Sequence, residues 1–162
     1  MNKSLLASSS IEWYTPTYIV EKVNNILGTI DLDPCSPVNV TKRIVATKHF
    51  TVIDNGLNKE WFGSVYLNPP YGKEIGLWVN KALYEFYAGN MKSCIMLLPS
   101  RTDTRWFFSL GSFIKCFVRG RIKFSNHKSS APFPSVIVGV NVDKKLFFSE
   151  LQSTGDIYEK QY

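Results

Sequence analysis

The chain has 162 residues, a formal net charge of +6, 44% apolar residues and 14% aromatic residues. That length makes one domain able to bury roughly 70% of its unfolded surface, and no run approaches the ~20 consecutive apolar residues that a membrane span requires. Cys35, Cys94 and Cys116 are odd in number and share no paired spacing, which points to a reducing compartment and away from a metal site.

Residues 1–10 lack the long apolar core of a signal peptide and read as a loose start. Thr15 is a good N-cap with Pro16 at the first helical position. Ile19, Val23, Ile26 and Leu27 then recur at helical spacing until Gly28. Ile30 to Asp33 reads as a short strand broken by Pro34. Within residues 37–60, Ile44, Val45 and Phe50 suggest one further short strand, and Asp54-Asn55-Gly56 is a turn. Val65 to Leu67 is the next strand.

A helix follows, with Ile75, Trp78, Val79, Ala82, Leu83 and Phe86 on one face and a Lys81–Glu85 pair on the other, ended by Gly89-Asn90. Cys94 to Leu98 is a continuous apolar run, as expected of a strand buried on both faces. A helix is expected from about Asp103 to Leu110, and strands at Phe113 to Val118 and Val136 to Val140. Ser125 to Ser135 is polar, Ser-rich and Pro-bounded, and reads as a mobile loop. Strands alternating with helices imply an α/β fold with a mostly parallel sheet. The domain is expected at residues 11–142, with 143–162 a C-terminal extension packed on it or trailing it.

The most informative stretch is Asn68-Pro69-Pro70-Tyr71 at the end of the Val65 strand. Asn68 can present an amide oxygen and amide hydrogens to a planar polar ligand. Pro69 and Pro70 force the backbone out of the sheet in a fixed direction, and Tyr71 offers an aromatic face. Open α/β sheets bind ligands at this carboxyl end. Seven basic residues lie between Arg101 and Asn141 (Arg101, Arg105, Lys115, Arg119, Arg121, Lys123 and Lys128), against Asp103 as the single acid. Such a stretch suits phosphate contact. Arg121 could instead point into the sheet layer.

Leu67-Asn68-Pro69-Pro70-Tyr71 resembles motif IV of amino-group DNA methyltransferases that act on adenine N6. Other pieces match in the same order: Glu12-Trp13-Tyr14-Thr15-Pro16, Leu32-Asp33-Pro34-Cys35-Ser36, and Asp54-Asn55-Gly56-Leu57 with Trp61. Trp78-Val79-Asn80-Lys81-Ala82, Leu97-Leu98-Pro99 and Ala131-Pro132-Phe133-Pro134-Ser135 complete the set. Together they resemble the phage and prophage DNA N-6-adenine-methyltransferase family over residues 11–140.

The resemblance implies a single-domain, abbreviated Rossmann-like methyltransferase sheet with an antiparallel strand near its C-terminal end. It implies S-adenosylmethionine as cofactor without a metal, and adenine N6 in double-stranded DNA as acceptor. It also implies the cytoplasm of a bacterial host if the protein is phage-encoded. Asn68, Pro69, Pro70 and Tyr71 would be catalytic, holding a flipped-out base for direct transfer. Tyr14, Thr15, Pro16, Asp33, Pro34, Cys35, Ser36 and Asp54 would contact the cofactor. Lys73, Arg101, Arg105, Arg119, Arg121, Lys123 and Lys128 would contact DNA.

One departure stands out: Cys35, Ser36, Pro37 and Val38 replace the glycine-rich turn usual after the first acid. Three alternatives share some of these features. Pro34-Cys35 invites comparison with cytosine C5-methyltransferases, which use a Pro-Cys nucleophile. Enzymes that methylate protein glutamine amides also carry Asn-Pro-Pro-Tyr. A catalytically dead, DNA-binding methyltransferase fold is the third.

Overall fold

The apolar runs of the sequence become seven strands of one sheet in the computed structural model, which describes residues 12–161. The loose start expected at residues 1–10 lies outside them. The strands are β1 (Leu32–Asp33), β2 (Lys48–His49), β3 (Gly63–Leu67), β4 (Met91–Pro99), β5 (Ile114–Val118), β6 (Ser135–Val140) and β7 (Gly155–Tyr158). Their spatial order is β2-β1-β3-β4-β6-β5-β7. The first four are mutually parallel. β6 then enters antiparallel between β4 and β5, and β7 closes the far edge antiparallel to β5. The helices among the described residues are α1 (Thr17–Leu27), α2 (Ile75–Tyr87), α3 (Arg105–Phe108) and α4 (Lys144–Leu151). This is the abbreviated Rossmann-like sheet the sequence implied, a parallel half joined to an antiparallel one.

β4 is the middle strand of the seven, and its apolar run from Cys94 to Leu98 is fully buried, with two helices packed against it. Residues 144–158 supply α4 and the edge strand β7 of this sheet. The strand expected among Ile44, Val45 and Phe50 falls at Lys48–His49 instead. Val45 is 84% exposed while Phe50 packs in the core, so apolar character misplaced that strand. The third helix shrinks from Asp103–Leu110 to Arg105–Phe108, capped by the Thr104 hydroxyl, which accepts from the Phe107 amide at 3.3 Å.

Two further corrections concern capping and burial. Pro16, in extended backbone, is the residue that flanks the start of α1. Thr15 stands one position earlier, and its hydroxyl points elsewhere. Glu85 was expected on the solvent face of α2 but is 1% exposed. It is held by an ion pair with Lys81 and accepts from the Asn90 side chain at 2.8 Å. The helix closes as anticipated at Gly89-Asn90: the Gly89 amide donates to Phe86 and the Asn90 amide to Glu85, both at 3.0 Å, the pattern of a Schellman stop.

Burial alone would raise the Glu85 pKa, but hydrogen bonds from Lys81 and Asn90 outweigh it and hold the carboxyl below its ordinary value. A depressed carboxyl stabilises the fold fully above its unfolded pKa and loses that stability as pH falls through the folded one. Lys81→Met should therefore cost about 1–3 kcal/mol at pH 7, the cost of leaving a buried acceptor without its donor. Urea unfolding at pH 7 and pH 3 should show the difference between variant and parent shrinking at the lower pH.

Candidate active site

β1 and β3 lie side by side and parallel, with Leu32 opposite Val65, so the loops leaving their carboxyl ends emerge next to each other. β2 continues the sheet on one side and β4 on the other. The chain reverses direction of winding between β1 and β3, the place where open α/β sheets form a ligand crevice. Asp33-Pro34-Cys35-Ser36 and Asn68-Pro69-Pro70-Tyr71 are the two lips of that crevice.

Asp33 is buried, and its Oδ1 accepts from the Cys35 amide at 3.1 Å, tightening the turn that lacks glycine. Its Oδ2 lies 3.9 Å from His49 Nδ1, which also bonds Ser36 Oγ at 2.9 Å. The turn after β2 is drawn in by Gly56: a Cβ there would meet the Pro34 carbonyl oxygen at 2.2 Å. The Trp61 indole N–H donates to the Gly56 carbonyl at 2.9 Å from beneath.

Asn68 is the most constrained polar group in the crevice. Its Nδ2 donates to the Trp13 carbonyl at 2.6 Å and to Thr15 Oγ1 at 3.0 Å. Thr15 Oγ1 in turn lies 2.6 Å from the Tyr66 hydroxyl. Asn68 Oδ1 is buried and has no hydrogen-bond partner. Such orphaned buried groups are uncommon in a folded protein; Ser100 Oγ and Ser135 Oγ are the others among the described residues.

Tyr71 differs from its expected role as an open stacking face. It is 5% exposed, and its hydroxyl donates to the Leu97 carbonyl at 2.9 Å. Trp13 lies near-parallel over it at 6.5 Å, with Phe124 and Phe133 edge-on. The hydroxyl needs an acceptor when the ring is buried, and the end of β4 supplies one.

The segment Glu12 to Thr15 lies across Asn68 as a strap. Asn126 fixes it by accepting from the Tyr14 amide and donating to the Glu12 carbonyl, both at 2.9 Å. The His127 ring stacks on Trp13 at 3.9 Å. Trp13, Tyr66, Asn126 and His127 were not foreseen as site residues. Asn126 is 112 positions from its partner Tyr14, and no local sequence signal spans that distance.

Two cavities open along the crevice. One, about 50 Å³, lies between the strap, Asp33, Cys35 and Asn68; the other, about 360 Å³, lies between Pro34, Ser36, Thr51, Asn55 and Trp78. Glu12, Cys35 and Pro70 line both. Of the expected cofactor contacts, Tyr14, Thr15, Asp33, Pro34, Cys35 and Ser36 line one or both, while Pro16 and Asp54 line neither. The Asp54 carboxylate accepts from the Thr51 amide and hydroxyl at 2.8 and 3.0 Å, which lowers its pKa.

A family model described as DNA N-6-adenine-methyltransferase (Dam) matches residues 3–145. The chain belongs to the DNA N-6-adenine-methyltransferase family. No curated protein matches it. The match spans both lips of the crevice, the strap and the sheet from β1 to β6, and ends within α4.

The surroundings of Cys35, the cysteine beside Pro34, do not suit a covalent nucleophile. Burial, with Asp33 and Cys94 nearby, pushes the Cys35 thiol well above its ordinary value, whereas a nucleophilic cysteine needs the thiolate.

The basic stretch divides into distinct environments. Lys73, Arg101, Arg105, Arg121, Lys123 and Lys128 are exposed. Arg121 points outward, because Ile122 and Phe124 take the buried alternate positions. Arg119 is exposed but paired with Asp156 at 2.6 Å. Lys115 is buried: its ammonium donates to the carbonyls of Leu110, Gly111 (3.3 Å) and Phe113 (2.8 Å), and desolvation lowers its pKa.

Cys35→Ser should retain methyl transfer within a few-fold, and native Cys35 should alkylate with iodoacetamide far more slowly at pH 7.5 than a free thiol. Loss of transfer with unchanged stability in that variant would restore the Pro-Cys chemistry.

Proposed function

We propose that the chain transfers a methyl group from S-adenosylmethionine to N6 of an adenine extruded from double-stranded DNA, with the Asn68 loop holding the amine. The observation that carries this is the buried, unpartnered Oδ1 of Asn68. An exocyclic adenine amine has two hydrogens to donate, and its lone pair is delocalised into the ring. Asn68 Oδ1 and the Pro69 carbonyl would hold those hydrogens and favour a pyramidal nitrogen with its lone pair free. Fixed dipoles and near-attack positioning then carry the rate without a covalent enzyme intermediate.

The residues present fit the cofactor that the family implies. A buried carboxylate, Asp33, stands at the crevice with the larger cavity beside it, and an acid there complements a cation and accepts hydrogen bonds from an ammonium or ribose hydroxyls. Asp33, Pro34, Cys35, Ser36 and Tyr14 would hold it, with the Asp54 turn at the cavity's rim. Bound S-adenosylmethionine supplies an electrophilic methyl group on a sulfonium.

The cavity beside Asn68 has room for a few waters rather than a nucleobase. Entry of the target base therefore requires the strap to shift, and Trp13 is the ring in the way. Flipping costs a few kcal/mol. A base replacing Trp13 over Tyr71 would recover about 1–3 kcal/mol by stacking. The exposed cations Lys73, Arg101, Arg105, Arg121, Lys123 and Lys128 would meet phosphates. If phage-encoded, such an enzyme would work in the cytoplasm of the bacterial host.

Asn68→Ala should abolish transfer while leaving S-adenosylmethionine affinity nearly intact, and Asp33→Ala should weaken that affinity by about 1.5–3 kcal/mol, the value of one charged hydrogen bond. Nucleoside mass spectrometry for N6-methyladenine and calorimetry read the two effects. Cofactor and DNA binding by the parent chain with no methylated adenine would leave a DNA-binding protein in place of the enzyme.

DNA affinity should fall steeply with salt, each phosphate contact adding about 0.9 to the slope of log K against log salt. Arg121→Ala with Lys123→Ala should flatten that slope by up to about two and weaken all sequences alike. Arg119→Ala should change it less, because Asp156 already neutralises that guanidinium. A slope unaffected by the double substitution would remove this face from the DNA path.

A further inference from the structure

Asn68 has two amide hydrogens and one amide oxygen, and both hydrogens are committed inside the protein. One goes to the Trp13 carbonyl and one to Thr15 Oγ1. With both pinned, the amide plane is fixed. A flip would face Asn68 Oδ1 against the Trp13 carbonyl, two acceptors together. The oxygen is thereby turned away from both of those partners and is buried without a donor in the resting structure.

The two contacts are unequal in permanence. Trp13 belongs to the strap, which must shift to admit a base. Thr15 stands two residues before α1 and is anchored from below by the Tyr66 hydroxyl. Tyr66 is 2% exposed at the end of β3. Tyr66 and Asn68 are two apart on one chain, so their side chains leave on the same side, and Thr15 bridges them from the opposite element. A threonine hydroxyl has one donor and two acceptor sites. Whichever of Tyr66 and Thr15 donates to the other, the Thr15 oxygen keeps a lone pair for the Asn68 amide.

We propose that Thr15 and Tyr66 are positioning residues, a hydroxyl relay that holds the Asn68 amide with its oxygen toward the acceptor nitrogen after the strap has moved. This rests on the reading of Asn68 as the group that accepts from N6. It differs from the role that the family resemblance gives Thr15, a cofactor contact, because the Thr15 hydroxyl is already engaged by Tyr66 and Asn68. Burial pushes the Tyr66 pKa up, so the relay keeps its hydrogen across any usable assay pH.

The test separates positioning from cofactor binding. Steady-state kinetics on a duplex oligonucleotide, with calorimetric S-adenosylmethionine binding, would compare the parent chain with Thr15→Val, Thr15→Ser and Tyr66→Phe. Thr15→Val is nearly isosteric and should lower kcat about tenfold to hundredfold, the scale set by ångström-level misplacement of a reacting group. Its cofactor Kd should stay within about twofold of the parent, since no cofactor contact is lost. Thr15→Ser keeps the hydroxyl and should restore most of kcat, and Tyr66→Phe should lose several-fold with cofactor affinity intact.

An unchanged kcat in Thr15→Val, or a weakened cofactor Kd with normal kcat at saturation, overturns the proposal. Should Thr15→Val fail to fold, parental kcat in Tyr66→Phe overturns it equally. A parent chain that makes no N6-methyladenine would defeat the underlying reading of Asn68, a result distinct from an active parent with indifferent variants.

Discussion

The pairing of β1 directly against β3 is the constraint on which the site depends. Two loops more than thirty residues apart in sequence end at the same edge because Leu32 and Val65 are neighbours in one parallel ladder. Parallel strands need long crossovers, and here the segment between them goes out to β2 and returns. That excursion leaves a gap at the carboxyl ends, lined by an acid on one side and an amide on the other. The buried run of β4 behind β3 holds the second lip in place, since Tyr71 is tied to the Leu97 carbonyl at its end. Sheet order thus does chemical work: it sets a carboxylate and a carboxamide within one crevice without any contact between their own loops in sequence.

Much of this was legible in the residues. The long apolar runs at Cys94–Leu98 and Val136–Val140 announced central strands, since a strand covered on both faces has no polar alternation to confuse. The doubled proline after Leu67 fixed where β3 had to stop. Where the chain is polar and short-stranded, legibility failed. Lys48–His49 becomes a strand because its backbone finds partners on β1, not because its side chains prefer it, while the more apolar Val45 is left in solvent. Glu85 was read as outward because a charged residue on a helix usually is, but Lys81 and Asn90 satisfy it in place and make burial tolerable.

The site shows the same division. Asn68 and Asp33 stand out in the sequence because each ends a strand at the edge where open sheets bind ligands, and the structure sets both on one cavity. Thr15 was visible too, but with the wrong neighbours: a threonine before a proline reads as a cap, and its hydroxyl instead reaches across to Tyr66 and Asn68. Asn126 and His127 were not visible at all. Their contacts to Glu12, Tyr14 and Trp13 join segments more than a hundred residues apart, and a Ser-rich loop carries no periodicity to mark them. The basic stretch was legible in sign but not in use, since one of its cations, Lys115, is buried under three carbonyls and another, Arg119, is already paired.

A buried acceptor without a donor costs about 1–3 kcal/mol, and Asn68 Oδ1 stands in that condition in the folded protein. The surrounding structure sustains it by satisfying its neighbours: both Asn68 amide hydrogens, the Tyr71 hydroxyl and the strap's backbone through Asn126. A donor arriving from outside the protein would relieve it. On the proposed reading that donor is an exocyclic amine held between Asn68 and the Pro69 carbonyl, with its lone pair left free. On that reading the contacts that hold the resting crevice, Asn126 on the strap and His127 on Trp13, also set the condition for relief: the amine reaches Asn68 only when Trp13 is displaced.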